Sequence, residues 1–299
     1  MNKKKVSVII PIYNGKKYLE RLLPSVAAQD CGSYDVIIVD DNSPDKTIIS
    51  YIKEKYPHFT IIENHENIGF ACSVNVGVRA SRGKYICVLN SDTELQKSYI
   101  KEHVDFLEKN ENIGILGCKI LNEDGSIQSS GVIFKDGYPH CFTDDISEVR
   151  YVEHVDFVGA FVRKELFEFF GLMSPDYFMK FDDCDFCLRV AKKSNKYKFA
   201  ILPQPLITHF GRSNSMNCFD NTFYYCRNLF VFQKKFFPEE VLGSVFLRIP
   251  DIFLSRLKDC VKNPRMIPAA AKIILSGIKG AVSGLRFNAE DSKDHLEKL

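Results

Sequence analysis

Four apolar stretches constrain this chain more than any other feature. VSVII (6–10), YDVIIVDD (34–41), FTIIEN (59–64) and KYICVLN (84–90) are apolar in runs rather than alternating, and the segments between them have helical spacing. A strand apolar on both faces must be covered on both faces, and strands that alternate with helices connect in parallel. The first half therefore predicts a parallel α/β sheet. Helices are expected at about 16–29, where Leu19, Leu22, Leu23 and Val26 share a face, from Asn42-Ser43-Pro44-Asp45 onward, and from Gly69 to Ser81. Such sheets bind ligands at the carboxyl ends of their strands. Asp41, Asn67 and Asp92 all fall at or just after such ends.

After residue 113 the rhythm changes. ILGCKI (115–120) and SIQSSGVIF (126–134) read as strands joined by the turn Asn122-Glu123-Asp124-Gly125, followed by an exposed, flexible loop over 135–150. A strand is expected at 152–162, helices at about 163–170 and 183–194, and a strand at 197–202. The second half is thus mixed α/β built onto the same sheet.

With 299 residues, 45% hydrophobic and 26% charged, the chain has material for one large or two modest domains with a real core. The formal net charge of +2 says little about partners, and no nucleic-acid partner is expected. Of the ten cysteines, Cys184 and Cys187 form a C-x-x-C inside an acidic cluster, and no second pair accompanies them, so a zinc–thiolate site is not expected. No apolar export segment follows Met1–Lys5, no run of about 18 apolar residues would span a membrane, and the many thiols suit a reducing cytoplasm.

Several segments carry chemistry. FMKFDDCDFCLR (178–189) packs Asp182, Asp183 and Asp185 into four positions ahead of a helical pattern. Carboxylates this close repel unless they bind a cation, share a proton, cap a helix or do chemistry. PIYNG (11–15), with Pro11 and Tyr13, reads either as a plain turn after the first strand or as the wall of a nucleotide pocket. The absence of G-x-G-x-x-G argues against a dinucleotide-binding dehydrogenase. Asp40 and Asp41 either favour a helix start or offer a carboxylate to the imide N–H of uracil or thymine. Asn67 and Gly69 precede a helix on which Asn75 and Arg79 share a face. Asp92 is placed to hold Mg²⁺ or Mn²⁺ on a diphosphate, with His209 as a further ligand and Arg212 suited to phosphate oxygens.

PIYNG, IVDDNS, ENIGFA, VLNSD, FMKFDDCDFCLR and HFGRS occur in the order seen in the inverting glycosyltransferases of family 2, which have the GT-A fold. The resemblance covers residues 5–215 and is closest to the bacterial rhamnosyltransferase and galactofuranosyltransferase branch. It implies a UDP- or dTDP-sugar donor bound by Pro11, Tyr13, Asp41, Asn67 and Asp92, with Asp41 reading the base. It implies Mg²⁺ or Mn²⁺ on Asp92 and His209, and Asp183 as the base that deprotonates the acceptor hydroxyl, supported by Asp182. Two departures stand out: the family's D-x-D element reads Asn90-Ser91-Asp92, and its Glu-Asp pair reads Asp182-Asp183.

The chain divides by this reading into a catalytic domain, 1–215, and a C-terminal helical region, 216–299. Residues 241–287 hold eight Lys/Arg against two acids. Over 266–286, Ile267, Ala271, Ile274, Leu275, Ile278, Val282 and Leu285 share a helix face flanked by Lys272, Lys279 and Arg286, with Ala, Gly and Ser behind. A basic amphipathic helix of this kind suits an anionic membrane surface, a cap on the catalytic domain or a homodimer partner. Tyr224, Tyr225 and Arg227 are candidates for contacting the acceptor. The expected activity is transfer to a glycan or lipid-linked acceptor at the inner face of the cell membrane, in surface polysaccharide synthesis. A sugar nucleotidyltransferase is disfavoured by the single glycine of YNGKKY, and a non-catalytic membrane-associated scaffold by the presence of Asp183.

Overall fold

The computed structural model describes residues 5–32, 34–211, 218–241, 243 and 267–287. Two compact units emerge. The first comprises Met1–Ile133, Pro139–Ser174 and Asp183–Ser215, the second Phe134–Tyr138, Pro175–Asp182 and Met216–Leu299.

The first unit is a mixed, mostly parallel sheet flanked by helices. Its elements run β1 (Val6–Ile12), α1 (Lys16–Ala27), β2 (Tyr34–Asp40), α2 (Thr47–Lys55), β3 (Thr60–Glu63), α3 (Phe70–Ala80), β4 (Tyr85–Leu89), β5 (Thr93–Leu95), α4 (Tyr99–Lys109), β6 (Ile113–Leu121), β7 (Ile127–Ser129), β8 (Val132–Lys135), β9 (Tyr138–Cys141), β10 (Arg150–Val152), β11 (Gly159–Arg163), α5 (Lys164–Phe170), α6 (Asp182–Lys193) and β12 (Lys198–His209). The main path is ordered β10-β12-β6-β11-β4-β1-β2-β3. Of its eight strands only β10 and β11 run against the rest.

Side chains alternate across β1 and so sort the core into two layers. Val6, Val8, Ile10 and Ile12 pack with residues of α1, α2 and α4, while Ile9 packs with residues of α3, α5 and α6. The stretches in β1, β2 and β4 thus owe their unbroken hydrophobicity to helices on both sides, whereas β3 is an edge strand with Ile61 and Ile62 half-buried and Thr60 and Glu63 exposed. Two buried polar side chains, Arg163 and Asn75, are matched by backbone groups. Arg163 donates to the carbonyls of Leu107 and Asn110 around the end of α4 and of Ile113 at the start of β6, at 2.7–3.0 Å. Asn75, buried on α3, donates Nδ2–H to the Met173 carbonyl (2.8 Å) and accepts the Met173 N–H (2.9 Å).

The structure departs from the sequence-based expectations in several places. The region 135–150, expected as a loop, contains β9 and the turn of a β8–β9 hairpin. Its turn residues Asp136 and Gly137 both have positive φ (50° and 66°), the backbone that matches the twist of a tight hairpin. The stretch 126–134 is two strands, β7 and β8, broken at Gly131, whose φ is 113°. The stretch 152–162 likewise divides between β10 and β11. Helix α2 starts at Thr47, because Asp45 accepts the Thr47 N–H (3.0 Å) in a local turn.

In the second unit, α7 (Cys218–Phe236) is followed by a 3₁₀ turn at Pro238–Glu240 and by α8 (Ile267–Arg286). Phe232 of α7 packs against Phe134, Phe181, Phe236 and Phe237. Lys180 and Phe181 both sit at φ 65°, a strained backbone for residues with side chains. The buried Asn228 of α7 holds it in place by donating Nδ2–H to the carbonyls of Met179 (2.7 Å) and Lys180 (3.1 Å). Among the described residues no helix is long and apolar enough to cross a membrane.

Replacing Asn75 by Leu leaves the Met173 N–H and carbonyl buried without partners. The expected cost is about 2 kcal/mol or more, measured by urea unfolding; an unchanged midpoint would show that this pair contributes nothing.

Candidate active site

The carboxyl ends of β1, β2 and β4 converge, because these strands are parallel neighbours. Pro11 is buried within β1, and the half-buried Tyr13 follows it, leading to Asn14 and Gly15, both at positive φ. The Asn14 N–H donates to Ser43 Oγ (2.9 Å), and the Ser43 N–H to Asp40 Oδ1 (3.1 Å), so the loops after β1 and β2 are tied together. Asp41, 4% exposed, accepts three N–H groups. Its Oδ1 takes Asn64 Nδ2–H (3.0 Å) and the Ile68 N–H (2.9 Å), and its Oδ2 takes the Gly69 N–H (2.8 Å). Asp41 therefore closes the 64–69 loop, and Oδ2 retains one acceptor position. Asn67 is exposed on that loop and bonds the Gly69 N–H through Oδ1 (3.2 Å).

A short ladder joins the two halves of the next cluster. His209 stands opposite Thr93 in the β5–β12 pairing, and the Phe210 N–H donates to the Asp92 carbonyl (2.8 Å). Asp92, buried, and His209 meet with Nε2 3.2 Å from Oδ1. The imidazole is oriented from behind. Its Nδ1 bonds Gln128 Oε1 (2.7 Å), Gln128 Nε2–H donates to Asn122 Oδ1 (3.2 Å), and Asn122 Nδ2–H to Ser126 Oγ (2.9 Å). With Nδ1 turned to Gln128, Nε2 is the ring nitrogen that faces the Asp92 carboxylate. At that distance a proton on Nε2 or a cation between the two groups joins them. The spacing is close to that of neighbouring ligands on an octahedral ion with bonds of about 2.1 Å, which lie about 3 Å apart. A nitrogen plus a carboxylate oxygen suits Mn²⁺ or Mg²⁺ completed by water and phosphate oxygens. Glu94 is occupied otherwise: it pairs with Arg21 at 3.0 Å.

Helix α6 carries the acidic cluster, and its three acids differ. Asp185 is fully buried and accepts from Arg189 Nε–H (2.6 Å), while Arg189 also donates to the carbonyls of Phe170 and Leu172. That pair is structural. Asp183, its side chain 22% exposed, accepts the Cys184 N–H at Oδ1 (2.8 Å) and the Phe157 N–H at Oδ2 (3.3 Å). His154 Nε2 lies 3.3 Å from the same Oδ2. Burial alone would push the Asp183 carboxyl up, but the neighbouring imidazole and the two N–H groups outweigh it and hold its pKa below the usual carboxylate range. His154, Asp183 and Cys184 also bring ligand atoms within 4.8 Å of one another, a donor set softer than Asp92 and His209 offer.

Asp182, buried, and the acceptor candidates Tyr225 and Arg227 belong to the second unit. Tyr225 Oη bonds Tyr138 Oη, and Arg227 Nη1–H donates to the Asp176 carbonyl (2.7 Å). Arg212 lies outside the described residues. Sequence reasoning missed His154, Gln128 and Asn64, which reach their partners only through the fold.

The model of glycosyl transferase family 2 matches residues 7–169, more than half of the chain. The chain belongs to glycosyl transferase family 2. An uncharacterized glycosyltransferase of Methanocaldococcus jannaschii is 26% identical over 282 residues, covering 87% of this chain and 94% of that protein. An uncharacterized glycosyltransferase of Haemophilus influenzae is 31% identical over 48% of this chain. The putative teichuronic acid biosynthesis glycosyltransferase TuaG of Bacillus subtilis is 30% identical over 40%. The match spans less than half of these last two proteins, 46% and 49%. Among solved structures, S. aureus TarS 1–349 superposes with a TM-score of 0.55 at 19% identity, covering 76% of this chain and 65% of that segment, which establishes likeness of fold. A second structure of that TarS segment, in complex with UDP-GlcNAc, gives 0.54 at 19% identity over 76% of this chain and 66% of the segment.

Removing the imidazole should release Asp183 upward. In His154→Leu, burial acts without its main opponent, so the carboxyl titration followed by ¹³C chemical shift should move to higher pH. A midpoint that stays put or falls would contradict the pairing.

Proposed function

We propose that this glycosyltransferase moves a sugar from a UDP- or dTDP-sugar to a saccharide acceptor, with inversion, in bacterial surface polysaccharide synthesis. The observation that carries the reading is the Asp92–His209 pair at the carboxyl edge of the sheet, with its imidazole oriented by Gln128. A cation between them would neutralise charge on the departing diphosphate. Pro11, Tyr13, Asn67 and the remaining acceptor position of Asp41 Oδ2 form the base-binding wall, and Asp41 takes the imide N–H. Arg212 would meet phosphate oxygens.

Asp183 is the base, and Asp182 supports it at the start of α6. The Asp183 carboxylate is ionised at neutral pH and so can take a proton, while its lowered pKa makes it a weaker base than an ordinary carboxylate. The acceptor hydroxyl gives its proton to Asp183 as its oxygen bonds the anomeric carbon. The bond from that carbon to the diphosphate oxygen breaks on the opposite face, and the nucleoside diphosphate leaves. A single displacement inverts the configuration.

TarS has been solved with UDP-GlcNAc, and the B. subtilis proteins TuaG and GgaB are named for teichuronic acid and minor teichoic acid biosynthesis; these relatives support a nucleotide-sugar donor and a surface-glycan product. The motif order favours the rhamnosyl- and galactofuranosyltransferase branch. The region 216–299 is proposed to hold the enzyme to the inner face of the membrane, where a lipid-linked acceptor resides, because α8 exposes Leu275, Ile278, Val282 and Leu285.

Asp183→Asn should lower transfer by about a thousandfold or more, on the scale of a lost catalytic base, while UDP or dTDP binding in Mn²⁺ stays within about twofold by calorimetry. Loss of both would make Asp183 structural.

A further inference from the structure

In the second unit, α8 lies on α7 with the wrong face for an ordinary amphipathic helix. Its small residues are inside. A Cβ added to Gly280 would stand 2.2 Å from the Phe223 carbonyl oxygen, and one added to Gly284 would stand 2.3 Å from that of Arg227. Only glycine permits this approach. The large apolar side chains therefore point away: Leu275 is 52% exposed, Ile278 46%, Val282 41% and Leu285 38%.

Beside that stripe, α8, Phe287 and Arg227 of α7 line an open cleft of about 510 Å³. Arg227, Lys279 and Arg286 line it together with Ile278, Val282 and Phe287. Among the described residues none of the three forms an ion pair. Asp176, the acid that acts on Arg227, has its carboxylate 3.8 Å from Lys235. Arg227 is half-buried, donates Nη1–H to the Asp176 carbonyl and to Asn228 Oδ1 (2.6 Å), and has its guanidinium carbon 5.8 Å from the Phe287 ring centroid. Three cations and an apolar wall lining one cleft match an anionic head joined to a hydrocarbon chain.

We propose that this cleft seats a single-chain lipid phosphate, its phosphate on Arg227, Lys279 and Arg286 and its chain along Ile278, Val282 and the exposed stripe. The inference rests on the lipid-linked-acceptor reading above and names where the lipid phosphate would be held. It commits to the lipid phosphate, since free phosphate would use the cations but not the apolar walls.

The test uses the full chain and farnesyl phosphate, farnesol and inorganic phosphate, with binding followed by calorimetry. Farnesyl phosphate should bind at least tenfold more tightly than either other probe. The double variant Lys279→Gln with Arg286→Gln, changed at two exposed positions, should lose at least tenfold, and Lys279→Arg with Arg286→Lys should retain binding. Equal binding of farnesol, equal binding of inorganic phosphate, or an unchanged double variant would each overturn the proposal. UDP or dTDP binding in Mn²⁺, measured on the same samples, separates the two readings. Retained nucleotide binding without farnesyl phosphate binding defeats the cleft alone. The reverse result leaves the cleft standing and defeats the donor site.

Discussion

The ladder between β5 and β12, with His209 opposite Thr93, sets the geometry on which the candidate site depends. Asp92 lies just past β4, whose position is fixed by pairing with β1 and β11. His209 closes a strand anchored on β6. Without the three β5–β12 pairs, nothing in the local chain would hold the carboxylate and imidazole 3.2 Å apart. A one-residue slip would turn His209 to the other face of the sheet. Gln128 holds the other ring nitrogen, so strand register and ring orientation are set by separate parts of the fold.

The acidic cluster shows how context separates identical residues. Asp185 is consumed by Arg189 and anchors α6, whereas Asp183 keeps an exposed edge and a histidine partner. The strained turn at Lys180 and Phe181 leads directly into these acids, and Asn228 of α7 stabilises it by two hydrogen bonds. Strain of this kind persists only where the surrounding contacts over-determine it. The helical region thus contributes to placing the residues before α6 as well as presenting an apolar surface of its own.

Much of the fold was legible in the sequence because burial on both faces writes unbroken apolar runs, as in VSVII and KYICVLN, and because α1 repeats Leu19, Leu22, Leu23 and Val26 at helical spacing. The short strands were not, since three or four residues carry no period; only Asp136-Gly137 signalled the β8–β9 hairpin. In the site, Asp92 and His209 were readable as separate ligand types at strand ends. Their meeting depends on pairing across more than a hundred positions. His154 and Gln128 sat unmarked in ordinary strand-like text, because their chemistry comes entirely from what the fold sets beside them. Asp41 was readable as a strand-end acid, but its closure of the 64–69 loop appears only in three dimensions. The amphipathic pattern of α8 was plain, while the direction it faces was decided by Gly280 and Gly284 against α7.

The central claim is that Asp92 and His209 hold a divalent cation for a nucleoside diphosphate. The most direct measurement is the melting temperature of the wild type and of Asp92→Ala with UDP, dTDP, GDP and CDP, each with and without Mn²⁺. A ligand that binds only the folded chain must raise that temperature. The account predicts stabilisation by UDP or dTDP that requires Mn²⁺ and disappears in Asp92→Ala. Stabilisation equal in the absence of metal, or none with any nucleotide, would contradict it.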